Sequence, residues 1–187
     1  MVFAVNFGRV VFAPLVEPLQ AAFDVGPATI GAVVSLVWFG TALPRLPLSY
    51  VLTRVSRRRV VVVAGVSLTG AAVLTALSPD IRTLRLGVVG VGVASGTYFV
   101  SAVPLISELY PDRVGKRIGI HGTAAQLAAV AAPTVVVSVV AVTTWRAVFW
   151  LLAVAALATT VVFAIGLGRT DGVREAPPAR NFRGVLG

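Results

Sequence analysis

Apolar residues fill the chain in six long runs, separated by short segments that contain charged residues, glycine or proline. Each run is close to the length of about 20 residues at which a helix crosses the hydrocarbon core of a bilayer. The pattern therefore predicts an all-α integral membrane protein with six transmembrane helices, at residues 2–23, 29–52, 60–77, 84–109, 118–142 and 147–167. We expect a six-helix bundle over residues 1–167 and a polar, basic tail over residues 168–187.

Composition strengthens this interpretation and excludes several classes of protein. The 187 residues are 57% hydrophobic and 12% charged, and a soluble domain cannot bury so large an apolar fraction. The net charge of +9 is spread over the gaps between apolar runs, so nucleic-acid binding is not expected. The sequence has no cysteine and one histidine, so we expect no metal site and no cofactor.

Lysine and arginine residues set the expected orientation. Eleven of the 16 lie in three segments, residues 53–59, 110–117 and 168–187. In a six-span protein these three segments lie on the same side of the membrane. Because positive residues are retained on the cytoplasmic side, we expect both termini to be cytoplasmic in a cell membrane.

The first basic segment resembles motif A, G-x-L-x-D-R-x-G-R-R/K, of the major facilitator superfamily. The basic positions are kept as Arg54, Arg57 and Arg58, whereas Ser49, Thr53 and Ser56 replace the first glycine, the aspartate and the second glycine. In the family that aspartate pairs with arginine at the cytoplasmic gate. We hypothesise that Glu108, at the cytoplasmic end of the fourth run, supplies the missing carboxylate.

Three further segments are similar to the same family. Arg85 precedes a glycine-rich fourth run, as in motif B, and residues 108–119 resemble the family's fourth-to-fifth loop. Trp145, Arg146 and Phe149 match the W-R-x-x-F that opens the sixth helix. Motif C of drug–proton antiporters is not matched: when it is aligned on Pro133, Gly119 fits the first glycine, but the other glycines are replaced by Ala128, Ala132, Val136 and Val137. A proton-driven drug exporter is therefore not favoured.

The resemblance implies the amino-terminal six-helix half of such a protein, built from two three-helix repeats. It also implies a secondary carrier of a small solute that works by alternating access, with helices one, two, four and five along the path. A second six-helix half, either a copy or a separate chain, is then a required partner besides the lipid bilayer. The alternative is a truncated fragment without transport, or a structural membrane subunit.

Two arginines within predicted spans, Arg9 and Arg45, are the sharpest candidates for a substrate site. An intramembrane charge costs about 2.5–3.5 kcal/mol on insertion scales, so it usually faces a cavity or a partner. Both lie about 10–12 Å from the cytoplasmic side, and we expect them to favour an anionic solute unless each snorkels to the interface. Glu17 is predicted either to bind a proton or cation or to lie at the outer interface.

Tyr98 and Gln126 complete the predicted substrate-binding set, although a tyrosine in a span is more often an interhelical hydrogen-bond partner. His121 lies one turn from the second basic segment, and we expect it at the interface rather than in a proton relay. The segment 93–96 with His121 suggests a remote alternative, a rhomboid-like intramembrane serine protease. Position 93 is valine and no rhomboid-like loop is present, so we expect no enzyme.

Overall fold

The computed structural model describes residues 1–168, and this part of the chain is helical with short connections. The helices are α1 (Val2–Val10), α2 (Val16–Phe23), α3 (Pro27–Ala42), α4 (Arg45–Val51), α5 (Arg57–Ala76), α6 (Ile81–Leu109), α7 (Val114–Val142) and α8 (Trp145–Gly168), with a 3-10 turn at Pro111–Arg113. The prediction of an all-α bundle is confirmed. Except for Gly168, the predicted tail lies outside the described residues.

Five helical stretches are long and apolar enough to cross a membrane: Pro27–Val51, Arg57–Ala76, Ile81–Leu109, Pro111–Val142 and Trp145–Gly166. The first predicted span is present as two short helices, α1 and α2. Pro14 lies between them and lacks a backbone N–H, and the chain turns there through bonds from Ala13 to Val10 and from Leu15 to Phe12. The 22 residues from Val2 to Phe23 still rise about 33 Å if helical throughout, close to the thickness of the hydrocarbon core.

The basic segment at residues 54–59 is partly helical, which the sequence interpretation did not anticipate. Ser56 is the N-cap residue of α5, so Arg57, Arg58 and Arg59 form its first turn instead of a loop. Pro44 similarly precedes a short helix of its own, α4, which continues from α3. The second predicted span is thus interrupted at residues 43–44, where a proline cannot donate to the helical ladder.

Helix α6 is the centre of the bundle, with α3 and α5 packed against it. Glycines make these contacts close: a Cβ atom on Gly92 would lie 3.0 Å from the Cα of Gly40 on α3, and one on Gly90 would lie 3.0 Å from Ala71 on α5. Phe12 and Phe149 fill the core between the first segment and α8, with ring centroids 5.2 Å apart. Small residues therefore set the helix spacing on one side of the core and aromatic rings fill the other.

Polar contacts define the two ends of the bundle. At one end Arg57 of α5 forms an ion pair with Glu108 of α6. At the other end Arg146 donates to the carbonyl of Ser78 at 2.9 Å. Asp80 caps α6 there by accepting from the backbone of Thr83 and Arg82, and the bond from Thr83 contributes most to lowering the pKa of this carboxyl.

Candidate functional site

Arg9 of α1 lies half-buried between aromatic side chains of two other helices. Its guanidinium carbon is 4.5 Å from the ring centroid of Trp38 on α3 and 5.0 Å from that of Phe99 on α6. Such cation–π contacts stabilise a desolvated cation by about 2 kcal/mol. Within residues 1–168 the Nε atom of Arg9 is buried without a hydrogen-bond acceptor. The guanidinium is thus held in place by aromatic rings while part of its hydrogen-bonding capacity stays unused.

Asn6 fixes α1 beside α7, one helical turn before Arg9. Its side-chain nitrogen donates to the backbone carbonyl of Ala125 at 2.6 Å. Residues at spacing i, i+3 lie on the same side of a helix, so Asn6 and Arg9 face a common region. Residues Ala4 to Gly8 of this helix are buried, which leaves little freedom for α1 to rotate.

A second polar pair connects α6 and α7 next to this arginine. The hydroxyl oxygen of Tyr98 lies 3.1 Å from Nε2 of His121, and the two rings stack with centroids 5.8 Å apart. His121 also meets the ring of Phe99 edge to face at 6.2 Å. Phe99 therefore contacts the guanidinium of Arg9 on one part of its ring and His121 on another. We call Arg9, Trp38, Tyr98, Phe99 and His121 the arginine–aromatic cluster.

The other predicted substrate residues are more peripheral. Arg45 is exposed at the start of α4, yet it is close enough for its charge to act on Arg9. Glu17 is exposed on α2, on the segment that leads to Phe23 and its contact with Trp145 at the far end of the bundle. Gln126 is exposed on α7, next to Ala125. The structure thus groups Arg9 and Tyr98, brings Arg45 near, and leaves Glu17 apart.

The motif A-like residues divide into local and long-range contacts. Ser49 and Thr53 donate to carbonyls of their own turn, those of Leu46 and Tyr50. Arg54 stacks on Tyr50 at 4.7 Å, Ser56 makes no side-chain cap bond, and Arg58 is half-buried. The contact between two helices is made by Arg57, whose ion pair with Glu108 places the hypothesised carboxylate beside a motif arginine. Its role in gating stays a prediction.

The protease alternative lacks the contact that such chemistry needs. Ser95 donates to the carbonyl of Val91 in its own helix at 2.7 Å, with a longer contact of 3.5 Å to Val5. Across residues 1–168, no hydrogen bond joins Ser95 to His121, whose Nε2 faces Tyr98 instead. A serine nucleophile requires a base within hydrogen-bond reach, so this pair does not form one here.

Four partners were missed or undervalued from the sequence: Asn6, Trp38, Phe99 and His121. The signal for Asn6 was its amide within an apolar run, three residues before Arg9. His121 was expected at the interface, and its pairing with the buried Tyr98 was not foreseen. Trp38 and Phe99 carried no signal that distinguishes a cation-binding ring from a packing ring, because only the helix arrangement brings them to Arg9.

The fold and the arginine–aromatic cluster define an α-helical integral membrane protein with the guanidinium of Arg9 half-buried among its helices. The family model described as Major Facilitator Superfamily matches residues 1–185. The chain therefore belongs to this superfamily, whose members are membrane transporters and not enzymes. A search of curated proteins gave no match to the chain.

Proposed function

We propose that this protein is a secondary carrier of a small carboxylated anion, with Arg9 as its anion-binding residue. The observation that carries the proposal is the half-buried guanidinium of Arg9, whose Nε finds no acceptor within the described residues. Guanidinium and carboxylate form charge-assisted, frequently bidentate hydrogen bonds. An anion from solution would therefore complete the hydrogen bonding of a group that the aromatic rings alone leave unsatisfied.

The surroundings of Arg9 support an anion with an apolar body. Trp38 and Phe99 offer ring surfaces beside the guanidinium, and Arg45 adds a second positive charge nearby. Arg9 is half-buried and Arg45 is exposed, and an anion bound at Arg9 would offset the repulsion between these two like charges. A small aromatic or branched carboxylate suits these contacts better than a polyhydroxylated solute does.

Alternating access requires a second six-helix half, either another copy of this chain or a separate chain. The cluster draws on α1, α3, α6 and α7, and α7 is the least buried of the long helices, with 17% of its most apolar stretch buried. A second half seated against this side would enclose the cluster. We further propose a cell-membrane location with cytoplasmic termini, on the basis of the arginine-rich segments.

The ion pair of Arg57 and Glu108 is proposed as the cytoplasmic gate contact of this carrier. It joins the start of α5 to the end of α6, at the end of the bundle that carries the basic segment. Both side chains are partly exposed, at 32% and 44%, so water competes for this contact and it is able to break and form again during transport. In this proposal the carboxylate of Glu108 substitutes for the motif A aspartate, whose position is occupied by Thr53.

Binding of benzoate to the purified chain in detergent tests the anion site, with benzamide as the neutral ligand of the same shape. In a variant with Trp145→Phe and Trp150→Phe, which keeps Trp38 as its one tryptophan, we expect benzoate to quench the tryptophan fluorescence and benzamide to have no effect. Arg9→Ala is expected to weaken benzoate binding by about tenfold or more, since hydrogen bonds to charged groups contribute about 1.5–3 kcal/mol. Arg9→Lys should retain part of the affinity because it keeps the charge but loses the planar fork.

Uptake of radiolabelled benzoate into proteoliposomes tests the carrier itself. Saturable uptake that is lost in Arg9→Ala, with insertion intact, is the expected result. Equal binding of benzoate and benzamide, or an unaffected Arg9→Ala variant, would contradict the anion site. Binding without uptake would contradict transport by this chain and favour a non-transporting membrane subunit.

A further inference from the structure

We propose that His121 and Tyr98 form a protonation switch, such that a proton bound at His121 and an anion bound at Arg9 favour each other. The proposal rests on the proposed function, because it adds a proton site to the same anion site. Three helices contribute to it: Arg9 from α1, Tyr98 and Phe99 from α6, and His121 from α7.

The geometry places the guanidinium of Arg9 and the imidazole of His121 against the same aromatic ring, that of Phe99. The guanidinium carbon of Arg9 is 5.0 Å from the centroid of Phe99, and the imidazole of His121 meets that ring edge to face at 6.2 Å. A proton on His121 therefore puts a second positive charge one ring away from Arg9. Such a charge interacts strongly with Arg9 because water has limited access to a half-buried group.

The charges that face His121 from neighbouring helices have the same sign. They are the amino terminus, which precedes α1, and Arg9 on α1. On α7 itself, Arg117 lies one turn earlier, with its guanidinium carbon 4.3 Å from the ring centroid of Tyr110. Helix α8 carries Arg146 at its far end, and Glu108 of α6 is engaged by Arg57. Tyr98 is the titratable group in direct contact. Within residues 1–168 no carboxylate forms an ion pair with His121, so a bound anion is the group that would balance a proton there.

The hydrogen bond between Tyr98 and His121 gives the switch two defined states. In the neutral tautomer that carries its hydrogen on Nδ1, Nε2 accepts and the tyrosine hydroxyl donates. When Nε2 binds a proton it becomes the donor and the phenolic oxygen becomes the acceptor. The hydroxyl group keeps its hydrogen and turns so that it donates to another acceptor. Tyr98 is 5% exposed, so few water molecules reach its hydroxyl group to accept this hydrogen bond. A carboxylate at Arg9 provides both an acceptor and a balancing negative charge.

His121 is the sole histidine of the sequence, which allows a direct test. Benzoate affinity is measured on the untagged chain at about pH 5.5 and about pH 7.5, a range over which benzoate stays ionised and histidine titrates. We expect binding to be about fivefold tighter at the lower pH, the lower end of typical coupling between two sites. The imidazole NMR signal of His121 should shift its titration midpoint when benzoate is added, because linkage is reciprocal.

His121→Gln is expected to abolish the pH dependence and Tyr98→Phe to reduce it. The NMR titration uses the unchanged protein and so does not depend on the folding of either variant. Benzoate binding that is equal at both pH values, or a His121 signal that ignores benzoate, would overturn the switch and leave the anion site standing. Retained pH dependence in His121→Gln would also overturn it. Absence of benzoate binding at both pH values would overturn the switch and the anion site together.

Discussion

Helices α6 and α7 are each 29 residues long and each contains an internal proline. Yet α6 is central in the bundle and α7 is peripheral. In the most apolar stretch of α6, 56% of the residues are buried, against 17% in the segment Pro111–Val142 that contains α7. Both are apolar enough to cross a membrane. Hydropathy therefore places both helices in the bilayer and does not decide which one becomes the centre of the bundle.

Close contact of glycines accounts for the difference. Gly87, Gly90, Gly92 and Gly96 of α6 each meet a neighbouring helix where a Cβ atom would be 3.0 Å or less from other atoms. Gly115, Gly119 and Gly122 of α7 have nothing within 4 Å of such an atom. Lipid chains are as apolar as the helices, so burial in a membrane depends on how closely backbones approach. The glycines of α6 make that approach possible, whereas α7 packs against α1 and α8 with fewer buried residues, among them Ala128, Ala132 and Val136.

The largest effect is expected from adding a methyl group to one of the α6 glycines that contact a neighbouring helix. Gly92→Ala places a Cβ atom 3.0 Å from the Cα of Gly40 and 3.1 Å from its carbonyl carbon, and backbone atoms cannot move aside as a side chain does. We expect the free energy of unfolding to fall by about 1–3 kcal/mol, the usual cost of overpacking. Unfolding with increasing SDS, followed by circular dichroism, measures the change.

Gly119→Ala on α7 is the matched control, since the same methyl group enters open space. Its free energy of unfolding should stay within about 0.5 kcal/mol of the original, as for most surface substitutions. If both variants lose equal stability, the glycine contacts are not what distinguishes α6 from α7.

A smaller effect is expected where α7 is attached to α1. Asn6→Leu removes the 2.6 Å bond to the carbonyl of Ala125 and should cost about 0.6 kcal/mol, the average for polar contacts between membrane helices. Amide hydrogen exchange is expected to accelerate in peptides from α7 and to stay unchanged in those from α6. Gln126→Leu removes an exposed side-chain amide from α7 and serves as the control. Faster exchange in α6 would show that Asn6 supports the centre of the bundle instead.

The smallest effect on stability is expected at the end of α6 where Glu108 meets Arg57. Both side chains are partly exposed, so a double-mutant cycle with Arg57→Gln and Glu108→Gln should give a coupling of about 0.2–1 kcal/mol. The same cycle with Arg54→Gln should give almost none, because Arg54 stacks on Tyr50. For the gate, exchanging the charges in Arg57→Glu with Glu108→Arg should restore uptake that either single change lowers. Stronger coupling to Arg54, or no restoration, would argue against the gate.

Particular residues show how far sequence reasoning reached for the site. Arg9 was predicted because a charge within an apolar run is costly, and the structure places it among the helices of the cluster. Tyr98 was predicted as a substrate-binding residue or as an interhelical hydrogen-bond partner, without naming the residue it would bond to. The structure pairs it with His121. Arg45 was chosen by the same rule as Arg9, and Gln126 was included as a polar residue of the fifth run. Both are exposed, because a residue's depth along a helix does not specify the face it occupies.

The sequence by itself determined the class of fold, since six apolar runs separated by basic segments have few stable forms other than a helical membrane bundle. It also determined the family through motifs of local spacing, and the matching family model agrees. Only the tertiary structure decided that Trp38 and Phe99 surround Arg9, that Glu108 pairs with Arg57 and that α6 is central. These contacts join residues far apart in the chain, and they depend on helix rotation and spacing, which small-residue packing sets and hydropathy leaves open.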